Sequence, residues 1–174
     1  ISKSSILTLD KKKAKQLAEE FLDSRWKVGN IDQKPITQNP YPPFITSTLQ
    51  QEGIRKLRMS SQQVMRTAQY LYEEGYITYM RTDSVSLSSE AIKASRNIID
   101  SRYGNEYLPE KPRTFKNKVK NAQEAHEAIR PAGSSFKTPD ELKNKLDDQQ
   151  WKLYDLIWKR TLASQMKSAK LQMT

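Results

Sequence analysis

Three polar side chains stand at every second position of a short stretch, GYITYMRTDSVSLSSE, which runs from Gly75 to Glu90. If this stretch is an extended strand, Tyr79, Arg81 and Asp83 share one face, because alternate side chains of a strand point the same way. Ile77 then falls on that face too. A tyrosine hydroxyl is a poor nucleophile at neutral pH, but a neighbouring guanidinium favours the phenolate and can bind a phosphate through two hydrogen bonds. The pattern is therefore suited to attack on a phosphodiester. The alternative is an ordinary solvated face with a weak ion pair.

The single histidine is a second candidate for chemistry. His126 lies in the segment NAQEAHEAIRP, between Glu124 and Glu127. Two nearby carboxylates favour the charged form of an imidazole, which can contact a phosphate if the fold brings it to Tyr79. A lone histidine is more often a surface or structural residue, and the residues alone leave both interpretations open.

Basic side chains flank the tyrosine stretch on both sides. Arg55 and Arg58 precede it, and Arg66 lies on the predicted helix between them and Tyr79. We predict that these arginines contact a phosphate backbone. A later loop carries a second cluster, for which contact with a phosphate backbone and a merely solvated loop both remain open: Lys111, Arg113, Lys116, Lys118 and Lys120.

Strong helix signals surround the tyrosine stretch, and the helices that they predict must position it. Ser60 and Gln63 have the spacing of a capping box, and Gly75 stands where a helix-ending glycine belongs, which predicts a helix from Ser61 to Glu74. Met59 and Val64 fit a hydrophobic staple around its start. Ser88 can cap the next helix, which ends before Gly104.

Further helices are predicted on either side. Asp10 begins a helix with one buried face, on which Leu17 and Phe21 lie, and Thr46 or Thr48 caps a short helix. Thr138 caps a C-terminal helical region whose long final helix has a large apolar side made by Trp151, Tyr154, Trp158 and Leu162. Between the first and second helices the chain reads as extended, and its prolines mark a domain boundary: Pro35, Pro40, Pro42 and Pro43. These elements predict a mainly helical α+β protein.

Composition limits the partners and the kinds of site. Lys and Arg outnumber Asp and Glu by 30 to 20 in 174 residues, and a net charge of +10 favours a polyanionic partner, above all nucleic acid. The absence of cysteine excludes disulfides, thiolate metal sites and a cysteine nucleophile. No apolar run approaches the roughly 20 residues that span a bilayer, and the first residue is not Met. We expect a soluble piece of a longer chain, with no membrane partner.

Three motifs, in this order, identify a family resemblance: PPFITSTLQQEGIRKL, MRTAQYLYEEGYITYMRTDS and QEAHEAIRP. They closely resemble the tyrosine-bearing region of bacterial type IA DNA topoisomerases, and the YMRTDS form resembles the topoisomerase I branch better than the topoisomerase III branch. The resemblance implies that Tyr79 is the nucleophile that becomes linked to a DNA 5′ phosphate. It implies that Arg81 positions that phosphate and that His126 contributes to the active site and DNA contact. Asp83 is a candidate hydrogen-bond partner of His126 and a DNA-contacting residue.

The resemblance also implies an architecture. Residues 40–165 correspond to a helical, winged-helix-like tyrosine domain, which is inserted into a β-containing arch domain. Residues 1–39 correspond to the N-terminal part of that arch or hinge domain, and residues 166–174 to the start of the return into it. A TOPRIM domain, which supplies an acidic magnesium site in the family, has no counterpart in this sequence.

The implied function is relaxation of negatively supercoiled DNA by transient single-strand cleavage, strand passage and religation through a 5′-phosphotyrosine intermediate. The expected partners are single-stranded and negatively supercoiled DNA, together with the TOPRIM and remaining domains of a full-length chain. Magnesium is expected in the full-length enzyme, with no ligand in this sequence, and ATP is not required. The expected location is the bacterial cytoplasm, at the nucleoid, and the isolated fragment is expected not to relax DNA.

The alternatives are a basic helical DNA-binding module without catalysis, in which Tyr79 only packs or stacks, and a fragment that self-associates.

Overall fold

The computed structural model describes residues 7–115 and 126–174. Within these residues lie six α-helices, one turn of 3₁₀ helix (Asn105–Tyr107) and a two-stranded sheet, which confirms the mainly helical α+β class. The α-helices are α1 (Lys11–Leu22), α2 (Thr46–Leu57), α3 (Ser61–Glu73), α4 (Ser89–Tyr103), α5 (Pro139–Leu142) and α6 (Asp148–Ser164). The strands β1 (Lys34–Gln38) and β2 (Ala169–Met173) pair with each other. None of the described helices combines the length and the apolar character needed to cross a membrane.

The chain divides into two compact units. One contains Ile1–Ile36 with Gln172–Thr174, and the other contains Thr37–Leu171. We call the second one the helical unit. Its limits lie a few residues outside the predicted tyrosine domain of residues 40–165, whose assignment stays a prediction, like that of the flanking residues 1–39 and 166–174 to an arch domain.

Helix α6 is the centre of the helical unit and packs against α2, α3, α4 and α5. Its predicted apolar side is confirmed, since Tyr154, Trp158 and Leu162 are buried, while the half-buried Trp151 donates its indole N–H to the Pro139 carbonyl at 2.8 Å. The other helices contribute apolar residues at helical spacing, which close a single core. The fully buried members include Leu49 of α2, Val64, Ala68 and Leu71 of α3, and Ile99 of α4.

The local signals around α3 are confirmed. The Ser60 hydroxyl accepts the Gln63 N–H at 3.2 Å, and the Gln63 side chain accepts the Ser60 N–H at 2.7 Å. Gly75 has φ of 70°, the left-handed conformation that glycine adopts without strain. Glu74, predicted as the last helical residue, is instead the cap that follows Glu73.

The predicted caps of α2 are wrong. The cap position is Ile45, and Thr46 and Thr48 both lie inside the helix. Thr48 still stabilises the helix start, because its hydroxyl accepts the Ile45 N–H at 3.0 Å. The Thr46 hydroxyl forms hydrogen bonds with the backbone of the tyrosine stretch instead.

The predicted buried face of α1 is also wrong. Asp10 caps the helix as expected, with its carboxylate 2.8 Å from the Lys13 N–H, but none of the twelve described residues of α1 is buried. Phe21 is 50% exposed, and its contact with the Trp26 ring, at 5.2 Å between centroids, leaves both side chains open to solvent. The apolar spacing therefore specifies the helix, but the described residues of this unit bury none of its apolar side chains.

Candidate active site around Tyr79

The stretch from Tyr79 to Ser84 alternates between exposed and buried side chains. Tyr79, at 41%, is exposed, as are Arg81 and Asp83, whereas the residues between them are buried, so the predicted shared face is confirmed. The buried set is Met80, Thr82 and Ser84. One set of side chains therefore remains available to a ligand while the other fixes the segment.

The predicted strand and the predicted position of Ile77 are wrong. Residues 76–88, all described, contain a single β-bridge, between Ile77 and Pro131, and no regular strand. Ile77 is 2% exposed and belongs to the core. The chain bends at Thr78, so the alternation that begins at Tyr79 is out of phase with Ile77.

Thr46 anchors the backbone on both sides of Arg81. Its hydroxyl donates to the Met80 carbonyl at 2.8 Å and accepts the Thr82 N–H at 2.9 Å. The Thr46 N–H donates to the Thr82 carbonyl at 3.0 Å. One residue at the start of α2 thus fixes the segment that presents Tyr79 and Arg81, and no sequence signal links it to a partner 36 positions away.

Two buried hydroxyls continue this anchoring. The Thr82 hydroxyl accepts the Ser84 N–H at 3.0 Å, and the Ser84 hydroxyl accepts the Ser86 N–H at 3.2 Å. Short polar side chains commonly replace regular ladders in this way. Thr82 and Ser84 thereby satisfy the backbone of a segment that has no strand partner along most of its length.

Backbone hydrogen bonds join the His126 segment to the tyrosine stretch. The Thr78 N–H donates to the Arg130 carbonyl at 2.9 Å, and the Ala128 N–H donates to the Ser86 carbonyl at 2.9 Å. The His126 side chain is exposed, while the preceding motif residues, including Glu124, lie outside the described residues. The structure therefore brings together the two segments that carry the candidate residues. Direct contact of His126 with Tyr79, Arg81 or Asp83 stays a prediction.

A nearly buried ion pair supports the His126 segment. The Arg130 side chain is 8% exposed and contacts the Glu127 carboxylate at 2.6 Å, and its other amino group donates to the carbonyls of Pro131 and Gly133. The second Glu127 oxygen accepts the Ser88 N–H at 2.5 Å. Burial opposes ionisation of Glu127, but the hydrogen bonds from Ser88 and Arg130 outweigh it and lower its pKa.

The sequence alone identifies Glu127 only as a neighbour of His126. In the structure it joins the His126 segment to the start of α4 through Ser88. The Glu-x-x-Arg spacing within HEAIRP was the one local signal for the pair with Arg130, since these residues are three positions apart.

Tyr72 is a further neighbour that sequence reasoning missed. It lies in the last turn of α3, and its ring meets the Tyr79 ring edge to face, with 5.1 Å between centroids and 65° between planes. Edge-to-face contact is a favoured geometry for aromatic pairs. Tyr72 therefore limits the directions that the Tyr79 side chain can take.

The predicted DNA-contacting arginines are distributed over different surfaces. Arg55 is exposed, pairs with Glu52 at 2.9 Å, and stands nine residues after Thr46, about 180° around α2 at 3.6 residues per turn. It therefore does not share a face with the tyrosine stretch. Arg58 ends α2 with φ of 56°, and Arg66 is exposed on α3. Their contacts with DNA stay predictions.

In the later basic loop, Arg113 is structural. It donates to the Met166 carbonyl at 2.8 Å and to the Ser168 hydroxyl at 2.7 Å. Lys116, Lys118 and Lys120 lie outside the described residues. Among residues 7–115 and 126–174, no group of three or more His, Cys, Asp and Glu side chains could hold a metal ion.

Comparison with known proteins gives a consistent result. A family model described as DNA topoisomerase matches residues 2–174. The chain is 52% identical over 173 residues to DNA topoisomerase 1 of Synechococcus elongatus and 54% identical over 165 residues to that of Mycolicibacterium smegmatis. These alignments cover 99% and 95% of the chain but only 19% and 18% of those relatives. Full-length topoisomerase I from Thermotoga maritima superposes with a TM-score of 0.69 and 37% identity, over 94% of this chain and 26% of that one.

Proposed function

The chain belongs to the DNA topoisomerase family, and on this premise we propose that its helical unit supplies the DNA-cleaving tyrosine of a type IA enzyme. The observation that carries the proposal is the exposed Tyr79, two residues from Arg81 on a segment that Thr46 fixes from both sides. The proposed activity of the whole enzyme is relaxation of negatively supercoiled DNA by single-strand cleavage, strand passage and religation, without ATP.

In the proposed cleavage step, the Tyr79 oxygen attacks a phosphorus atom of single-stranded DNA. A bond forms between that oxygen and the 5′ phosphate, and the bond from phosphorus to the 3′ oxygen breaks. The phenolic proton passes to a base, and the leaving oxygen takes up a proton to become a 3′ hydroxyl. Arg81 neutralises the charge that develops on the phosphate oxygens. Religation is the reverse reaction, and it needs no ATP because the phosphotyrosine bond conserves the energy of the broken bond.

His126 and Asp83 are proposed to contact the DNA beside the scissile phosphate, with Asp83 orienting His126. The support is the pair of backbone bonds that join the two segments and the Glu127–Arg130 pair next to His126. Arg58 and Arg66 are proposed to contact the phosphate backbone on the approach to this face. Arg55 is proposed to contact DNA elsewhere, because it lies on the other side of α2.

The residues described do not fit a magnesium site, since they hold no cluster of acidic or histidine ligands. In the proposed cleavage step, the groups supplied by this chain are therefore side chains alone. We propose that magnesium, the TOPRIM domain and the remaining domains act in the full-length enzyme, in the bacterial cytoplasm at the nucleoid. The 174 residues alone are then expected not to relax supercoiled DNA, and turnover by them in a relaxation assay would contradict this.

A chimera tests the nucleophile. The 174 residues replace the matching segment of the Synechococcus elongatus enzyme, which is 52% identical, and the product is incubated with a labelled single-stranded oligonucleotide. We expect a covalent adduct that carries the DNA 5′ phosphate, and we expect Tyr79→Phe to abolish it. Tyr70→Phe is the matched control, because Tyr70 is exposed to 38%, close to the 41% of Tyr79.

An undiminished adduct in Tyr79→Phe would overturn the proposal. DNA binding with no adduct in the unmodified chimera would favour the alternative, a basic DNA-binding module without catalysis. Light scattering of the 174-residue chain separately tests the self-association that the sequence left open.

A further inference from the structure

A groove lies between α2 and α6 in the helical unit, away from the tyrosine stretch. Its volume is about 940 Å³, near the upper end of the roughly 300–1,000 Å³ that ligand sites usually occupy. One side is a helical stripe of α2 that includes Thr48, Glu52 and Arg55, and the other is a stripe of α6 that includes Lys152 and Lys159. The groove is open to solvent rather than a closed cavity.

The groove and the tyrosine stretch lie on different sides of α2. Thr46 faces the tyrosine stretch, and Arg55 faces the groove about 180° around the helix axis. A ligand in the groove would therefore not compete with one at Tyr79.

The groove has a strong excess of positive charge. Two carboxylates line it, Glu52 and Asp155, against six cations, which leaves an excess of four. Glu52 already accepts both Arg55 and Lys56 at 2.9 Å. Two of the lysines are paired along α6 with exposed ends, Lys152 with Asp148 at 2.6 Å and Lys159 with Asp155 at 2.7 Å, and a phosphate can compete for such exposed pairs. The six cations are Arg55, Lys56, Lys152, Lys159, Arg160 and Lys167.

Arg160 and Tyr41 line the groove and pack against each other. The Arg160 side chain is 15% exposed and lies 4.3 Å from the Phe44 ring centroid and 5.1 Å from that of Tyr41. The Tyr41 ring is nevertheless 66% exposed. An exposed aromatic ring held against a cation beside a row of lysines is the combination with which proteins bind single-stranded nucleic acid.

We propose that this groove binds the backbone of a single-stranded polynucleotide, with phosphates on Lys152, Lys159 and Lys167 and a base on Tyr41. It would be a second DNA-contact surface, separate from the face that carries Tyr79. The complementarity of charge selects this occupant, because an excess of four positive charges disfavours a basic or purely apolar partner. The proposal extends the proposed function but does not depend on cleavage by Tyr79.

Two charge-matched triple variants test the groove. Lys152→Gln, Lys159→Gln and Lys167→Gln remove three groove cations. Three other substitutions, at exposed lysines that do not line the groove, remove the same charge and serve as the control: Lys93→Gln, Lys143→Gln and Lys145→Gln. The fluorescence anisotropy of a labelled oligothymidylate of about 16 nucleotides, titrated with the 174-residue chain at several salt concentrations, gives Kd and its salt dependence.

We expect the groove triple to raise Kd about tenfold or more and to lower the slope of log K against log salt by about 2, since each lost contact removes about 0.7 on single strands. The control triple is expected to change Kd less than about threefold. Tyr41→Ala is expected to raise Kd at least about fivefold, the lower end of the effect of losing one stacked base. Circular dichroism confirms that each variant is folded.

Equal losses in the two triples would overturn the groove as a DNA site, and so would wild-type protein that does not bind at low salt. Unchanged DNA binding by the groove triple, together with altered self-association in sedimentation, would identify an interface between copies and would also overturn it. None of these three results affects the Tyr79 adduct in the chimera, so failure of the groove and failure of the nucleophile are distinguishable.

Discussion

Helices α1 and α3 have similar apolar spacing, but only α3 buries its apolar stripe. Val64, Ala68 and Leu71 of α3 are fully buried against the rest of the helical unit, whereas none of the described residues of α1 is buried. Both helices begin at the predicted cap. The difference teaches that spacing and caps specify a helix, while burial of its apolar face depends on what the rest of the fold brings against it.

The largest expected effect tests this difference directly. Leu71→Ala should lower the free energy of unfolding by about 2–5 kcal/mol, because it leaves a cavity in a closed core. Phe21→Ala removes a larger side chain from α1 but should change stability by only about 0.5 kcal/mol, since Phe21 is half exposed. Urea denaturation followed by circular dichroism measures both values.

Comparable losses in the two variants would contradict the comparison. They would mean that the apolar side of α1 is covered in solution. Gln16→Ala, on the exposed surface of α1, reports any effect of altering the helix without removing an apolar side chain.

The sequence predicted the features whose causes are local. A cap and its partner lie three residues apart, as Ser60 and Gln63 do, so the residues themselves specify the contact. The alternation of Tyr79, Arg81 and Asp83 is local in the same sense. These side chains are exposed on one face although the stretch forms no regular strand.

The missed features depend on partners that are distant in the chain. Thr46 bonds to Thr82, 36 positions away, and Glu127 bonds to Ser88, 39 positions away. No periodicity encodes such pairs, and the same residues have plausible local roles, a helix cap for Thr46 and a neighbour of His126 for Glu127. The fold had to be known before either residue could be assigned to positioning the candidate site.

An intermediate effect is expected where the helical unit holds the tyrosine stretch. Thr46→Val keeps the shape of the side chain but removes the hydroxyl that bonds to Met80 and Thr82. Leaving these backbone groups without that partner should cost about 1–3 kcal/mol. The loss should be concentrated at the tyrosine stretch, so hydrogen exchange at the Thr82 amide should accelerate more than exchange in the middle of α6.

Ser47→Ala is the matched control, since Ser47 is the next residue in α2 and is exposed. It should leave exchange at Thr82 unchanged. Uniform acceleration throughout the helical unit in Thr46→Val would contradict a local anchoring role.

The smallest expected effect extends the comparison from apolar to charged side chains, with an ion pair on α2 of the helical unit set against one on α1. On α2, the hydrogen bond from Arg55 lowers the pKa of Glu52 to about 2 from 4.5, with burial opposing the shift and Lys56 reinforcing it. Because the pKa is lowered on folding, the stabilisation is present above about pH 4.5 and is lost as the pH falls towards 2. Glu52→Gln should therefore weaken the dependence of the unfolding free energy on pH in this window. The effect should be small, since Arg55 is 67% exposed and water screens an ion pair with an exposed partner.

The charge-matched variant Glu19→Gln removes the corresponding carboxylate from α1, where Glu19 lies 3.9 Å from Lys15 and both side chains are mostly exposed. It separates the contribution of the α2 pair from the general effect of altering the net charge. Urea denaturation at several pH values between 2 and 5 provides the three curves. If Glu52→Gln runs parallel to the wild type through this window, the Arg55 hydrogen bond does not stabilise the fold, and the contrast between α1 and the helical unit is confined to apolar side chains.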